Sequence, residues 1–264
     1  MLPFLPTLLY VLALGAAGGD LAADRRALRV AVLVLVTAGL IARIATFLSP
    51  GLCPVSGAGG GLGMVAIFLA LHVVFGFRPE GSERARVFVA LFVVAALDLT
   101  GQLVGSISSE VRPERAERIW GEVHGGLMLL SYAAFLIAGV YSLLYVLLYR
   151  VMKTRRVGFW FDRLPSLQRL ESKTGVAVAV GLGSLTLGLL VGLFTFASFS
   201  GGVPVDVKVL VAGLLWLLFL GFFVGRRLLR VGGIRVMWVP LVGAGVILCL
   251  YSIGGSDHPF WSPA

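Results

Sequence analysis

Roughly 20 consecutive apolar residues carry a helix across a bilayer, and residues 124–149 exceed that almost without interruption. The run opens on His124, one of 3 histidines, and closes on Arg150. Trp120 stands one helical turn before it, an amphipathic ring of the kind that settles at headgroup level. An imidazole at the water-facing mouth of such a helix can hydrogen-bond, take up a proton or ligate a metal.

Seven further apolar runs accompany this one. Together the spans are about 2–19, 27–48, 60–77, 86–105, 124–149, 176–198, 207–225 and 236–254. The runs are continuous rather than alternating, so each reads as a helix that satisfies its own backbone inside lipid. The fold class expected is all-α, a polytopic transmembrane bundle of eight spans forming one membrane domain over residues 1–264. Composition agrees: 58% of residues are hydrophobic and 13% charged, against about 45–50% and about 25% in soluble domains.

The basic residues assign the sides. Of 22 Lys and Arg, 17 fall in the loops after spans one, three, five and seven. The positive-inside rule places those loops in the cytoplasm and both termini outside. It also accounts for the net charge of +9 without a nucleic-acid partner, since no basic face remains once the loops are assigned. Span one ends in Gly15-Ala16-Ala17, which resembles a cleavage site, but it lacks a basic leader and reads as a retained helix. The 2 cysteines, Cys53 and Cys249, form no CxxCH and no zinc spacing, which excludes covalent c-type haem attachment to this chain and a disulfide scaffold.

The loops differ in character. Residues 106–123 alternate Glu110, Glu114, Glu117 and Glu122 with Arg112, Arg115 and Arg118, as expected of a short surface helix laced by ion pairs. Residues 49–59 and 199–206 read as outer loops, and the tail from Gly254 carries His258 and Trp261. The inner segment 151–175 sets Phe159-Trp160-Phe161 among basic residues, a pattern that lies on an anionic leaflet. Leu164-Pro165-Ser166 reads as the start of a short helix.

Ionisable groups inside spans are costly and usually face the bundle interior. Arg43 and Asp98 lie at similar depth in two spans that run the same way, and they are expected to pair or to share a cluster with Gln102. His72 reads as a buried, neutral, hydrogen-bonded histidine. Gly188-x-x-x-Gly192 and Gly221-x-x-x-Gly225 are small-residue pairs that let helices approach closely.

The order of motifs resembles the cytochrome c assembly, or haem-handling, membrane protein family. The similar pieces are Pro54-Val55-Ser56, the histidine-led run through Ser131-Tyr132-Ala133, Leu164-Pro165-Ser166-Leu167 and Leu170-Glu171. They continue with Gly181, Thr186 and Gly188 (a Gly-x-x-x-x-Thr-x-Gly helix), then Asp206-Val207-Lys208 and Trp216. The resemblance implies a helical bundle that presents haem on the outer face for attachment to apocytochrome c. It implies His124 as an iron ligand, since imidazole is a standard axial ligand. Asp206 and Trp216 match family positions and, with Trp120, are expected beside the cofactor. The family's last outer histidine has no clean match, and His258, on the same side in a different context, is the candidate second metal-binding histidine. The segment before Asp206 lacks the family's tryptophans, and Val224 stands where the family has a histidine. In this the chain is similar to the HemX-like branch of accessory membrane proteins.

Three functions are compatible with these features. The first is a non-enzymatic haem-handling accessory protein of the bacterial cytoplasmic (inner) membrane, with haem as cofactor and apocytochrome c or other assembly subunits as partners. The second is a regulatory or scaffold protein that binds no haem. The third is a small-solute transporter, for which Asp98, Thr100 and Gln102 are the only midplane candidates.

Overall fold

A computed structural model of the protein describes residues 4–47, 57–77, 84–105, 115–154, 164–199 and 207–253. Within these residues the secondary structure is helical, with no strand. The helices are α1 (Leu5–Ala23), α2 (Arg26–Phe47), α3 (Gly57–Phe75), α4 (Arg84–Gly105), α5 (Arg115–Lys153), α6 (Leu167–Phe199), α7 (Val207–Arg227) and α8 (Ile234–Ile253). Six of them are long and apolar enough to cross a membrane, and α3 and α8 contribute the shorter apolar stretches Gly60–Phe75 and Ile234–Cys249. The chain is a multi-pass membrane protein.

Helix α1 runs antiparallel to both α2 and α4, and side-chain contacts at both ends of the bundle fix this. At one end Thr7 of α1 meets Asp98 of α4, and Asp98 meets Arg43 of α2. At the other end Asp20 of α1 meets Arg29 of α2, and Arg84 of α4 meets Asp24 in the turn between them. That turn is tight because Asp24 adopts a left-handed conformation (φ 50°) and returns its N–H to the Asp20 carbonyl at 3.0 Å. Helices α1–α4 pack as one group and α5–α8 as another, and α5 joins the two by packing on α3 and α4. Lipid gives no hydrophobic drive for such packing, so small residues and polar contacts hold it. Gly139 lets α5 touch Ala244 of α8, and Gly181 lets Phe135 of α5 lie against α6.

Two expected boundaries are corrected. Residues 115–123 are not a separate surface helix; they are the first turns of α5, which at 39 residues is about 58 Å long. Nothing from Arg115 to Trp120 breaks a helix, so the charged segment feeds straight into the apolar one. His124 thus lies nine residues inside α5 rather than at its start. Likewise residues 167–175 are the start of α6, not a short helix of their own. Ser166 caps it by accepting the Arg169 N–H at 3.4 Å, and Leu164 and Leu170 are buried.

Candidate functional site

His124 points from α5 onto α6. Its Nδ1 lies 2.7 Å from the carbonyl oxygen of Gly188. A carbonyl only accepts, so Nδ1 carries the proton and Nε2 becomes the electron-pair nitrogen of the ring. The ring seats on Gly192, where a β-carbon would come within 2.7 Å of Cε1 and Nδ1 but 3.5 Å of Nε2. The ring is therefore pressed onto α6 by its Nδ1–Cε1 edge, and Nε2 stands farther off.

The neighbours of His124 along α5 repeat this seating. Met128, one turn on, packs on Gly188, its sulfur 3.0 Å from where a β-carbon would be. Trp120, one turn back, makes an edge contact with Phe194 of α6, ring centroids 5.4 Å apart. Trp120 and Phe194 are both exposed, 39% and 54%, so flat apolar surface flanks the half-buried imidazole. The pair Gly188-x-x-x-Gly192 thus does more than allow helix approach: it supplies both the seat and the carbonyl that orient the histidine.

The other expected site residues fall as follows. Trp216 of α7 donates its indole N–H to Thr186 of α6 at 2.9 Å, and Thr186 in turn donates to the Leu182 carbonyl. Trp216 therefore latches α7 to α6, two residues before the carbonyl that holds His124. Each member of the Gly181, Thr186, Gly188 series has a separate partner: Phe135, Trp216 and His124. Asp206 and His258 lie outside the described residues, as do Pro54-Val55-Ser56 and Phe159-Trp160-Phe161. Glu171 receives Arg226 twice, through its carboxylate at 3.2 Å and its carbonyl at 2.9 Å, and so ties the start of α6 to the end of α7. A β-carbon added at Gly221 or Gly225 would meet nothing within 4 Å, so that pair marks no close helix contact among the described residues.

Arg43 and Asp98 do pair, Nε to Oδ1 at 2.9 Å. Thr7 and Gln102 donate to the other carboxylate oxygen at 2.6 and 2.9 Å. Thr7 is a partner that the spans do not announce; one hydroxyl near a chain start carries no signal without the fold. Gly63 makes room for the guanidinium, because any β-carbon there would strike Nη2. Thr100 points elsewhere, donating to the Ala96 carbonyl on the exposed face. Of the three polar residues Asp98, Thr100 and Gln102, only Asp98 and Gln102 share this cluster. At the opposite end, His72 shares a hydrogen bond with the Tyr141 hydroxyl at 2.9 Å, and buried Arg86 donates to the same hydroxyl at 3.3 Å. Arg86 also donates to the Gly76 carbonyl.

A haem iron needs an imidazole held in one tautomer, with its ligating nitrogen directed away from the support. The Gly188 carbonyl meets the first condition for His124, and the aromatic pair Trp120–Phe194 flanks the ring. Among the described residues there is no cluster of three or more His, Cys, Asp or Glu able to hold a metal ion.

Comparison with known proteins gives a consistent picture. The protein is 29% identical over 142 residues to Protein HemX of Bacillus subtilis strain 168, covering 53% of this chain and 51% of that protein. It is 29% identical over 129 residues to the inner membrane protein YpjD of Escherichia coli K12, covering 49% and 48%. The chain thus spans about half the length of the curated relatives it matches. No solved structure matches it. The family model described as cytochrome C assembly protein matches residues 59–254, from the start of α3 through α8, so α1 and α2 precede the matched region. This chain belongs to the cytochrome c assembly protein family.

Proposed function

We propose that the protein is a non-enzymatic haem-handling accessory factor of cytochrome c assembly in the bacterial inner membrane. In this reading all eight helices cross the bilayer, the arginine-rich ends of the helices face the cytoplasm, and the His124 end faces outward. His124 binds haem iron through Nε2, and Trp120 with Phe194 offers the porphyrin an apolar flank. Haem, when bound, supplies the iron centre that is handed to or shielded for an apocytochrome or another assembly subunit. The protein's own residues hold and orient it. The observation that carries the reading is the hydrogen bond from Nδ1 to the Gly188 carbonyl. Such a partner fixes the orientation of a metal-binding histidine. Family membership supports the cytochrome c connection.

The test is spectroscopic. Protein purified in detergent is titrated with haem, and the Soret region is recorded for the parent and for His124→Ala. The expected result is a Soret band shifted from free haem in the parent and lost in the variant. An identical band in both overturns His124 as the ligand. If the parent itself gives no shifted band, the second reading stands: a regulatory or scaffold membrane protein in which His124 only joins α5 to α6.

A further inference from the structure

Helix α7 ends in a turn whose shape is fixed by its own backbone. The Leu228 N–H donates to the Val224 carbonyl at 2.8 Å, and the Val231 N–H reaches back to the Gly225 carbonyl at 3.1 Å. Arg230 makes that return possible by adopting a left-handed backbone (φ 51°), a place glycine takes far more easily. Gly233 (φ 93°) then turns the chain into α8. Arg226 fastens the turn to α6 through Glu171, whose carboxylate also lies 3.2 Å from where a β-carbon on Gly232 would stand. On this support, the consecutive residues from Arg227 to Val231 are all exposed. Leu228 and Leu229 are 74% and 70% exposed, so this chain covers neither.

We propose that the α7–α8 turn is an anchor for anionic phospholipid: Leu228, Leu229 and Val231 enter the acyl boundary, and Arg227, Arg230 and Arg235 hold headgroup phosphates. Depth selects lipid over a cytoplasmic protein. The 21 residues of α7 measure about 31 Å, close to the roughly 30 Å hydrocarbon core. The bond from Val231 to Gly225 keeps the turn level with the end of that helix instead of letting it project into water. Trp238 of α8, itself exposed, lies under the Arg150 guanidinium at 5.9 Å, an aromatic ring and a cation of the kind found at headgroup level. Charge selects an anionic headgroup. From Val207 to Ile253 the chain has no acidic residue, and Glu171, the acid that reaches the turn, is taken by Arg226. Arg227, Arg230 and Arg235 are exposed and have no acidic partner among the described residues, which leaves their planar donors to phosphate. The arginine at the left-handed position is the sharpest sign, because glycine would fold the turn with less strain but would bring no charge. In the orientation proposed above, this end meets the cytoplasmic leaflet, whose surface is negative.

The test places an environment-sensitive fluorophore on Leu229→Cys in the full chain, with Cys53→Ser and Cys249→Ser, reconstituted in phosphatidylcholine vesicles. Phosphatidylglycerol and phosphatidylcholine with brominated acyl chains are each titrated in as quenchers. The ratio of the two gives the lipid preference at this turn alone, apart from the other basic loops and from haem. Quenching by both lipids is expected, with phosphatidylglycerol favoured. One arginine near an anionic surface contributes about fivefold, so Arg230→Gly should lower the preference by about that factor, and adding Arg227→Gln should bring it close to parity. Because Arg230→Gly relaxes the backbone, it should hold or raise the thermal midpoint while it loses the lipid preference; a purely structural role for Arg230 would not separate the two. No quenching by either lipid, meaning that water or another protein covers the turn, overturns the proposal. So does equal quenching in the parent, or a preference unchanged in the double variant.

Discussion

Replacing Asp98 by leucine is expected to cost about 3–5 kcal/mol, the range for removing one partner of a buried ion pair. The structure shows why the loss falls there. The Asp98 side chain is fully buried, and that of Arg43 is 9% exposed. Arg43 is seated on Gly63 with its guanidinium 5.1 Å from the centre of the Phe47 ring. Once the carboxylate is gone, Arg43 keeps its charge without its counter-ion. The Thr7 hydroxyl and the Gln102 amide lose their acceptor as well. Asp98→Asn keeps an acceptor but not the charge and should cost about half as much. In an Arg43→Met background Asp98→Leu should cost far less than alone, because an apolar pair replaces an ionic one. At roughly 2–4 °C per kcal/mol, Asp98→Leu lowers the midpoint by about 10 °C. The assay is the monodisperse fraction on size exclusion after heating detergent-solubilised protein. A thiol-reactive dye is unsuitable, since Cys249 is exposed. A loss below about 1 kcal/mol, or two single substitutions that add within about 0.5 kcal/mol, refutes the reasoning.

Three further outcomes are expected. Gly192→Ala pushes the His124 ring off its seat and should weaken haem binding about 10–100-fold, the usual cost of disturbing a ligand's orienting partner; a haem titration followed at the Soret band measures it. Trp216→Phe removes the bond to Thr186 and should cost about 0.5–1.5 kcal/mol; combining it with Thr186→Ala should add little more in the same heating assay. Tyr141→Phe deletes the hydroxyl that His72 and Arg86 share, and should cost about 1–3 kcal/mol, read from the thermal midpoint.

Apolar runs locate the helices well because a bilayer imposes both length and composition on whatever crosses it. The pairing of Arg43 with Asp98 is readable for a related reason: two costly charges at one depth in lipid have few other options. Helix ends are harder. The charges of residues 115–123 mark departure from an apolar environment, not the end of a helix, so the early turns of α5 carry no signal of their own. Around His124, the histidine and the glycine pair are both visible, but nothing in sequence order says that they face each other. Placing His124 against Gly192 requires the antiparallel register of α5 and α6. Arg86 with Tyr141 escapes a sequence reading because a basic residue beside a loop reads as topogenic, and only the fold turns it inward.

The salt link between α2 and α4 has a consequence for how the chain is made. A ribosome delivers α2 to the translocation machinery before α4 has been synthesised, so Arg43 reaches lipid with its acid still unborn. The α1–α2 hairpin should therefore linger at the lateral gate until Asp98 emerges, and crosslinks from nascent chains stopped before and after α4 would record that delay. On this view the first two helices wait for the fourth, and the order of synthesis differs from the order in which the helices come to rest.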